Sequence, residues 1–283
     1  MHPRKLRRML RAADVIQSAP ASTSLIHSQP NTDPFLSQQS TPNSSPSHAR
    51  HGPNMPAHPS FPTTASFPSE KLTLAAGIAI FHLATARVVL CHHSRDKYWF
   101  LPKGRKNAGE ELPAAAEREG FEESGYRNRV LPLPFKHRAT HDEGRGREAF
   151  VTEPVWMQLL PLSETVQYVL FWFVGETVSE GMEGEGAGAG RGYSAPVAFP
   201  KDVTLKERIG MDRRVGEDGK VVVYEPVRHA NTGVDEEEQL YESFLVPVSE
   251  ARRRLRGSVM EDVVRRGWDA VELRMRMEEG KGS

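Results

Sequence analysis

Three features that would each assign the chain to a class of protein are scarce or missing. Its 283 residues include one cysteine, Cys91, which excludes an internal disulfide and indicates a reducing compartment. The 37 basic residues balance the 37 acidic ones, so no general attraction to nucleic acid or to a membrane surface is expected. No apolar run approaches the roughly 18 residues of a membrane span. The sequence therefore predicts neither a nucleic-acid partner nor a membrane partner, and places Cys91 as a small apolar residue of a strand.

The first 70 residues differ from the rest of the chain. From Ser18 to Ser69 the sequence is rich in Ser, Pro, Thr, Gln and His and has no periodic apolar pattern. Such a segment cannot bury enough apolar surface to offset the entropy of ordering it. We predict that residues 1–70 are disordered and that one folded domain spans 71–278. We expect a cytoplasmic protein; the basic residues before Asp14 resemble a mitochondrial transit peptide, which makes import the alternative.

Strands interspersed with three helices through the folded part predict one α/β domain with a mixed sheet. A Gly-rich stretch at 181–192 is predicted to be a flexible insertion, and Asp218-Gly219 is typical of a hairpin turn. For the second predicted helix we expect Ser249 as its N-cap and Gly257 as its end. The predicted strands are 72–83, 87–94, 98–104, 155–160, 165–178 and 241–248, and the predicted helices are 113–124, 249–257 and 260–278.

The first predicted helix carries an unusual set of acids. Glu119, Glu122 and Glu123 are spaced i, i+3 and i+4, so they share one face. Like charges at this spacing destabilise an isolated helix by roughly 0.2–0.5 kcal/mol per pair. A hard divalent cation would remove the repulsion, and carboxylate oxygens are the ligands that Mg²⁺ prefers. The competing interpretation is a solvated acidic face with intrahelical ion pairs.

The wider spacing resembles the Nudix box, G-x5-E-x7-R-E-U-x-E-E-x-G-U, where U is a bulky apolar residue. The flanking strands and the closing helix extend the resemblance to about residues 72–278. It implies a Nudix-type α/β/α sandwich and hydrolysis of a nucleoside diphosphate linked to another group. Eight residues carry the match: Gly104, Glu110, Arg118, Glu119, Glu122, Glu123, Gly125 and Tyr126.

The resemblance also implies roles for these residues. Glu119, Glu122 and Glu123 are expected to bind Mg²⁺, with Mn²⁺ as an alternative, and Glu119 or Glu123 to act as the catalytic base. The remaining matched residues are expected to be structural: Glu110 and Arg118 as a pair that holds the loop and helix in shape, Gly104 and Gly125 as turns.

Two positions depart from the box, and neither removes a chemical group. Gly120 stands where an aliphatic residue is usual, and a glycine inside a helix costs about 1 kcal/mol relative to alanine; we expect it to weaken packing. Tyr126 replaces the last aliphatic residue and keeps its bulk. The remaining acids of the segment, Glu111 and Glu117, are expected to be solvated.

The residues around the box bear on the substrate. The stretch "WFLPKG" at 99–104 resembles the segment that precedes the box in Nudix hydrolases acting on diadenosine polyphosphates and in some acting on diphosphoinositol phosphates. Lys103 is accordingly a candidate phosphate ligand, while Arg105 and Lys106 are expected to be surface charges.

Other segments have a functional and a structural interpretation that the sequence leaves open. The loop with His137, His141, Arg145 and Arg147 either closes over a polyanion or is an ordinary polar loop. The aromatic residues Tyr168, Phe171 and Trp172 either stack on a base or, as we expect, pack in the core. The acidic run 235–239 either supplies a late ligand or base or, as we expect, is solvated.

We therefore predict a Mg²⁺-dependent Nudix hydrolase that cleaves a dinucleoside polyphosphate such as diadenosine tetraphosphate. The alternatives are a diphosphoinositol polyphosphate or another nucleoside diphosphate derivative. A Nudix-fold binding module without catalysis is disfavoured because all the carboxylates of the box are present. The sequence gives no oligomeric state.

Overall fold

The computed structural model describes residues 59–140, 148–183, 192–233 and 236–280. Most of the predicted disordered region and residues 184–191 of the Gly-rich stretch lie outside the described residues, so those two predictions stay predictions. Residues 59–68 are exposed and form neither helix nor strand. A 3-10 turn at Ser69–Lys71 then leads into the first strand.

The described residues form ten strands and four helices. The helices are α1 (Leu112–Ser124), α2 (Leu205–Met211), α3 (Val248–Arg254) and α4 (Val259–Glu279). The strands are β1 (Leu72–His82), β2 (Arg87–His93), β3 (Trp99–Phe100), β4 (Lys103–Arg105), β5 (Asn128–Val130), β6 (Trp156–Pro161), β7 (Gln167–Thr177), β8 (Arg213–Val215), β9 (Val221–Val223) and β10 (Tyr241–Pro247).

The main sheet is mixed and has the order β10-β2-β1-β7-β5, with β3, β4 and β6 paired to β2, β1 and β7. Its centre is a parallel pair, β1 with β7, in register from Leu72↔Gln167 to Phe81↔Glu176. The other described pairings are antiparallel. Strands β8 and β9 form the predicted hairpin around Asp218-Gly219 as a separate two-stranded sheet.

Alternation along β1 sends its side chains to two cores, one on each face of the sheet. Ala76, Ile78 and Ile80 pack with Ala115 and Ala116 of α1. The opposite face, with Ala75, Ala79 and Phe81, packs with α4 residues such as Val263 and Val264. The predicted α/β/α sandwich with a mixed sheet is confirmed.

Helix α1 has no side-chain cap at its start and a glycine cap at its end. Its N-cap, Glu111, makes no side-chain capping bond, while Pro113 lies in the first turn. Gly125 ends the helix with φ of 76°, as predicted, and its N–H donates to the Phe121 carbonyl oxygen. A Cβ at Gly125 would also overlap the His229 carbonyl oxygen. Glycine is therefore required there both for its backbone angle and for space.

The structure corrects the helix predictions in two places. Helix α2 was not predicted, although its capping box, in which Thr204 and Glu207 bond to each other's backbone N–H, is legible in the sequence. Helix α3 begins with Pro247 as N-cap and ends before Leu255, so Ser249 and Gly257 do not mark its ends. None of the helices in the described ranges is long and apolar enough to cross a membrane.

Candidate metal centre

Strand β4 and helix α1 hold two glutamates in close contact. The backbone N–H of Lys103 donates to Glu123 Oε2 at 2.8 Å. The neighbouring Gly104 lies against the Glu119 carboxylate so closely that a Cβ at this position would overlap it. Both glutamates are buried, with 6 % and 7 % of their surface exposed. Gly104 was predicted as a turn residue but lies within strand β4, where the lack of a side chain makes room for a carboxylate.

A third carboxylate, Glu238, completes the group. It belongs to a 3-10 turn at Glu238–Leu240, just before β10, and is 4 % exposed. One oxygen each from Glu119, Glu123 and Glu238 lies within 4.8 Å of the others. The expectation that 235–239 is a solvated run is therefore wrong for Glu238; Asp235 lies outside the described residues. We call Glu119, Glu123 and Glu238 the carboxylate cluster.

Glu122 is not a member of the carboxylate cluster, and Arg118 binds both Glu122 and Glu119. Arg118 Nη1 donates to Glu122 Oε2 at 2.9 Å and to Glu119 Oε1 at 2.8 Å. The same guanidinium holds Glu110 in a bidentate pair, with bonds of 2.7 and 2.9 Å, and donates to the Arg105 carbonyl oxygen at 2.9 Å. The structure thus brings together the predicted Glu110–Arg118 pair and connects it to Glu119. That Glu122 binds the metal stays a prediction.

Burial dominates the electrostatics of the two α1 glutamates. It raises the pKa of Glu119 to about 7, against the opposing effect of the Arg118 charge. It raises the pKa of Glu123 to about 8, with Lys103 opposing and the Glu119 charge adding to the rise. The hydrogen bond from Arg118 instead lowers the pKa of Glu110. Three buried carboxylates this close together are costly to ionise unless a cation joins them.

The donor set of the carboxylate cluster fits a hard divalent cation. It offers oxygen ligands alone, which suit Mg²⁺ or Mn²⁺ better than softer metals. Cys91 is buried nearby in β2 but directs its thiol to the Glu123 carbonyl oxygen at 3.6 Å. Burial raises the pKa of this thiol, which makes it a poor thiolate ligand, in agreement with its predicted structural role.

A cleft of about 470 Å³ opens beside the cluster. One wall carries the cations Arg105 and Lys106, which the sequence assigned to the surface. The first residues of β1, Leu72 to Leu74, line the cleft beside these cations, because β1 pairs with β4. The acids Glu119, Glu122 and Glu238 also line it. This volume suits a small-molecule ligand.

Lys103 is not among the residues that line this cleft. Its ammonium lies 5.7 Å from the centroid of the Phe100 ring, and its backbone N–H donates to Glu123. A phosphate contact by Lys103 stays a prediction. The polar loop is described only in part: His137 is half-buried, whereas His141, Arg145 and Arg147 lie outside the described residues.

The structure corrects the prediction for Glu117 and decides between the two interpretations of Tyr168 and Trp172. Glu117 is half-buried and accepts the Val130 N–H at 2.8 Å, so it ties α1 to β5 instead of being solvated. Tyr168 and Trp172 are core residues, 1 % and 0 % exposed, as expected.

An apolar strip extends the β1 wall of the cleft across the sheet. Leu74 pairs with Val169 of β7, which pairs with Leu159 of β6. The next row joins Phe171 to Met157. Directly paired residues project from the same face of a sheet, and Phe171 packs in the core on the α1 side. Met157 and Leu159 are 48 % and 41 % exposed. We call these five residues the apolar strip.

Fold and site together define an α/β protein with a buried carboxylate cluster in a cleft. Residues 71–186 match the sequence model of the NUDIX domain. The chain therefore contains a NUDIX domain, the domain of the Nudix pyrophosphohydrolases. Members of that family generally use divalent metals and act on small nucleotide-type molecules.

Solved structures of Nudix proteins are similar to this chain at low identity. A NUDIX-family hydrolase from Clostridium perfringens is 13% identical over 71% of this chain and 97% of its own, with a TM-score of 0.37. A NUDIX hydrolase from Nitrosomonas europaea is 14% identical over 71% and 90%, with a TM-score of 0.35. A C. elegans Ap4A hydrolase binary complex is 14% identical over 68% and 93%, with a TM-score of 0.32.

Proposed function

We propose that this enzyme hydrolyses a pyrophosphate bond of a dinucleoside polyphosphate, with diadenosine tetraphosphate as the type substrate. The observation that carries the proposal is the cleft itself. It brings the carboxylate cluster together with two cations, Arg105 and Lys106, and with apolar residues of the paired strand β1. A polyphosphate needs the cations and a metal, whereas a nucleobase needs the apolar surface.

Each part of the cleft has a task in this proposal. Arg105 and Lys106 bind phosphate oxygens as charged donors. Glu119, Glu123 and Glu238 hold Mg²⁺, or Mn²⁺ in its place, and Glu122 adds to the negative wall. A divalent cation bound there would screen the phosphate charge and acidify a water. Glu119 or Glu123 removes the proton from the attacking water, and a positioned base of this kind is typically worth 10²–10⁴-fold in rate.

The apolar strip favours a base-bearing substrate over a diphosphoinositol polyphosphate. An inositol ring crowded with phosphates requires a dense lining of Lys and Arg. Among the described residues, the cleft lining includes Arg105, Lys106 and Arg118, and Arg118 is already bonded to three glutamates. Met157 and Leu159, by contrast, leave apolar surface for a flat ring.

The proposal is tested with a panel of pyrophosphates and Mg²⁺, with products resolved by ion-exchange chromatography. The panel contains diadenosine tetraphosphate, ADP-ribose, a diphosphoinositol polyphosphate and inorganic tripolyphosphate. We expect the highest kcat/KM on diadenosine tetraphosphate and a fall of about 10² or more in Glu238→Gln. Preference for the inositol compound would replace the substrate assignment, and a fully active Glu238→Gln would remove Glu238 from the metal centre.

We also propose that the catalytic domain spans residues 71–278, well beyond the matched residues 71–186. One continuous core contains Ala75 of β1, Trp172 of β7 and Val271 of α4, and Glu238 belongs to the candidate site. A chain cut at residue 186 would lose α4 and one carboxylate, so we expect it to be insoluble or inactive in the same assay.

A further inference from the structure

A buried histidine lies behind the third carboxylate of the cluster. His93 is the last residue of β2 and has no exposed surface. Its ring stacks on Tyr98 with the centroids 5.2 Å apart and meets the edge of Tyr241 at 5.6 Å. Its Nε2 lies 3.0 Å from Glu237 Oε1. His93 therefore contacts the residue next to Glu238 without being a member of the carboxylate cluster.

The hydrogen bonds of His93 define which nitrogen carries the proton. The backbone N–H of Asp96 donates to Nδ1 at 2.9 Å, so Nδ1 is an acceptor. A neutral imidazole has one donor and one acceptor, which places the proton on Nε2. Nε2–H then donates to the Glu237 carboxylate. The tight β2–β3 turn thus fixes the tautomer that binds Glu237.

A second metal ion is the competing interpretation of these groups. His93, Asp96 and Glu237 lie close enough together to ligate one. However, Glu237 lies at Nε2, whereas Asp96 lies at the other nitrogen, 3.7 Å from Nδ1. The lone pair of Nδ1 is already used by a backbone N–H. The two carboxylates therefore do not converge on one ring nitrogen, and the arrangement is a hydrogen-bonded clamp.

Further contacts hold the 3-10 turn at Glu238–Leu240 and Glu237 before it. The Ser94 N–H donates to the Leu240 carbonyl oxygen at 3.0 Å, which anchors the turn after Glu238. On the other side, Gly233 packs so closely that a Cβ there would lie 2.7 Å from Glu238 Cβ. Arg95 also reaches Glu237 at 3.3 Å, but its side chain is 63 % exposed and contributes little. The bond from His93 restrains this turn from the β2 side and, unlike that from Arg95, comes from a buried side chain.

We infer that His93 is a positioning residue, which clamps Glu237 and thereby holds the turn that directs Glu238 into the carboxylate cluster. The inference rests on the proposed function, in that it takes Glu238 as part of the metal centre. A misplacement of about 1 Å at such a site can cost about 10²-fold in rate, and loss of a residue that supports a metal ligand typically costs 10–100-fold in metal affinity or activity.

The test compares two His93 variants and a matched control by Mn²⁺ titration, kcat with Mg²⁺ and thermal unfolding. His93→Leu removes the donor, and we expect Mn²⁺ binding to weaken about 10-fold or more. His93→Gln keeps an N–H donor, and we expect it to recover much of the loss. The control is His92→Leu, because the neighbouring His92 of β2 forms a similar pair, with Glu242 of β10 at 3.3 Å. We expect its Mn²⁺ binding and kcat to stay unchanged.

Glu238→Gln separates failure of the clamp from failure of the metal centre. If it leaves Mn²⁺ binding unchanged, the proposed centre is wrong and the clamp has no function. If it weakens binding while His93→Leu does not, the centre stands and the clamp is overturned. A lower melting temperature in His93→Leu with unaltered Mn²⁺ affinity has the same meaning.

The clamp can also be tested from its other side if His93→Leu does not fold. Glu237→Gln keeps an acceptor for Nε2–H and should bind Mn²⁺ nearly as the parent does. Glu237→Leu keeps no acceptor and should lose about as much affinity as the donor-less histidine variant. Equal affinity of the two Glu237 variants would overturn the inference.

Discussion

At the scale of single residues, Glu119 and Glu123 give the most direct prediction for mutagenesis. Both are buried with raised pKa values, so glutamine is a close replacement for their protonated forms. We expect Glu119→Gln and Glu123→Gln each to fold with an unchanged or higher melting temperature in the absence of metal. Turnover should fall by about 10² or more, because a neutral amide neither supplies a charged ligand nor accepts the proton of water.

The control for these two variants is Glu111→Gln, an exposed acid of the same segment. Its kcat and melting temperature should match those of the parent. Full turnover in both Glu119→Gln and Glu123→Gln would remove the catalytic assignment, whereas loss of folding in either would mean that its charge is needed for stability.

The sequence predicted two members of the carboxylate cluster, Glu119 and Glu123, but did not single out Glu238. Helical spacing placed Glu119 and Glu123 on one face, and they do share it. The same spacing included Glu122, whose carboxylate accepts a bond from Arg118 and is not part of the carboxylate cluster. Glu238 could not be singled out among its acidic neighbours, because its burial depends on β10 pairing with β2. Local periodicity does not report such a long-range contact.

At the scale of elements, the structure changes the interpretation of Gly120. The sequence suggested a weak point in α1, yet a Cβ there would lie 2.7 Å from Asn128 Nδ2 and 2.9 Å from Ile78 Cγ2. The glycine therefore lets α1 lie close against β1 and β5. The structural reason was hidden because it depends on how α1 packs against β1, which is distant in the chain, and against β5, which follows the helix.

We expect Gly120→Ala to destabilise the protein in spite of the helix propensity it gains. Propensity favours alanine by about 1 kcal/mol, whereas overpacking of a core typically costs 1–3 kcal/mol; Gly120→Leu should cost more. The matched control is Gly210→Ala in α2, where an added Cβ meets nothing within 4 Å and should stabilise by about 0.5–1 kcal/mol. Urea unfolding measures the three variants, and a Gly120→Ala protein as stable as Gly210→Ala would contradict the packing argument.

At the scale of the whole molecule, the order of strands could not be deduced from the sequence. Most strands and three helices were predictable from apolar patterns and turn residues. The parallel pairing of β1 with β7, and the passage of the chain from the matched residues 71–186 to Glu238, arise only from packing of distant segments. The carboxylate cluster takes Glu119 and Glu123 from the matched residues and Glu238 from beyond them. The stability of the fold is therefore coupled to whether these carboxylates are protonated or bound to a cation.

This coupling predicts how the stability of the metal-free protein depends on pH. The ordinary pKa of a glutamate is 4.5, and in the folded protein that of Glu119 is about 7 and that of Glu123 about 8. Between pH 4.5 and 8 the unfolded chain has lost protons that the folded protein retains, so stability falls as pH rises through this window. We expect the melting temperature in EDTA to decrease from pH 5 to pH 8, and the decrease to be smaller in the Glu119→Gln, Glu123→Gln double variant, whose amides do not titrate. At pH 8, Mg²⁺ at about 100 times its Kd should restore about 2.7 kcal/mol to the parent and much less to the double variant. Identical pH slopes for the two proteins, with equal Mg²⁺ effects, would show that the two carboxylates neither carry the buried charge nor bind the ion.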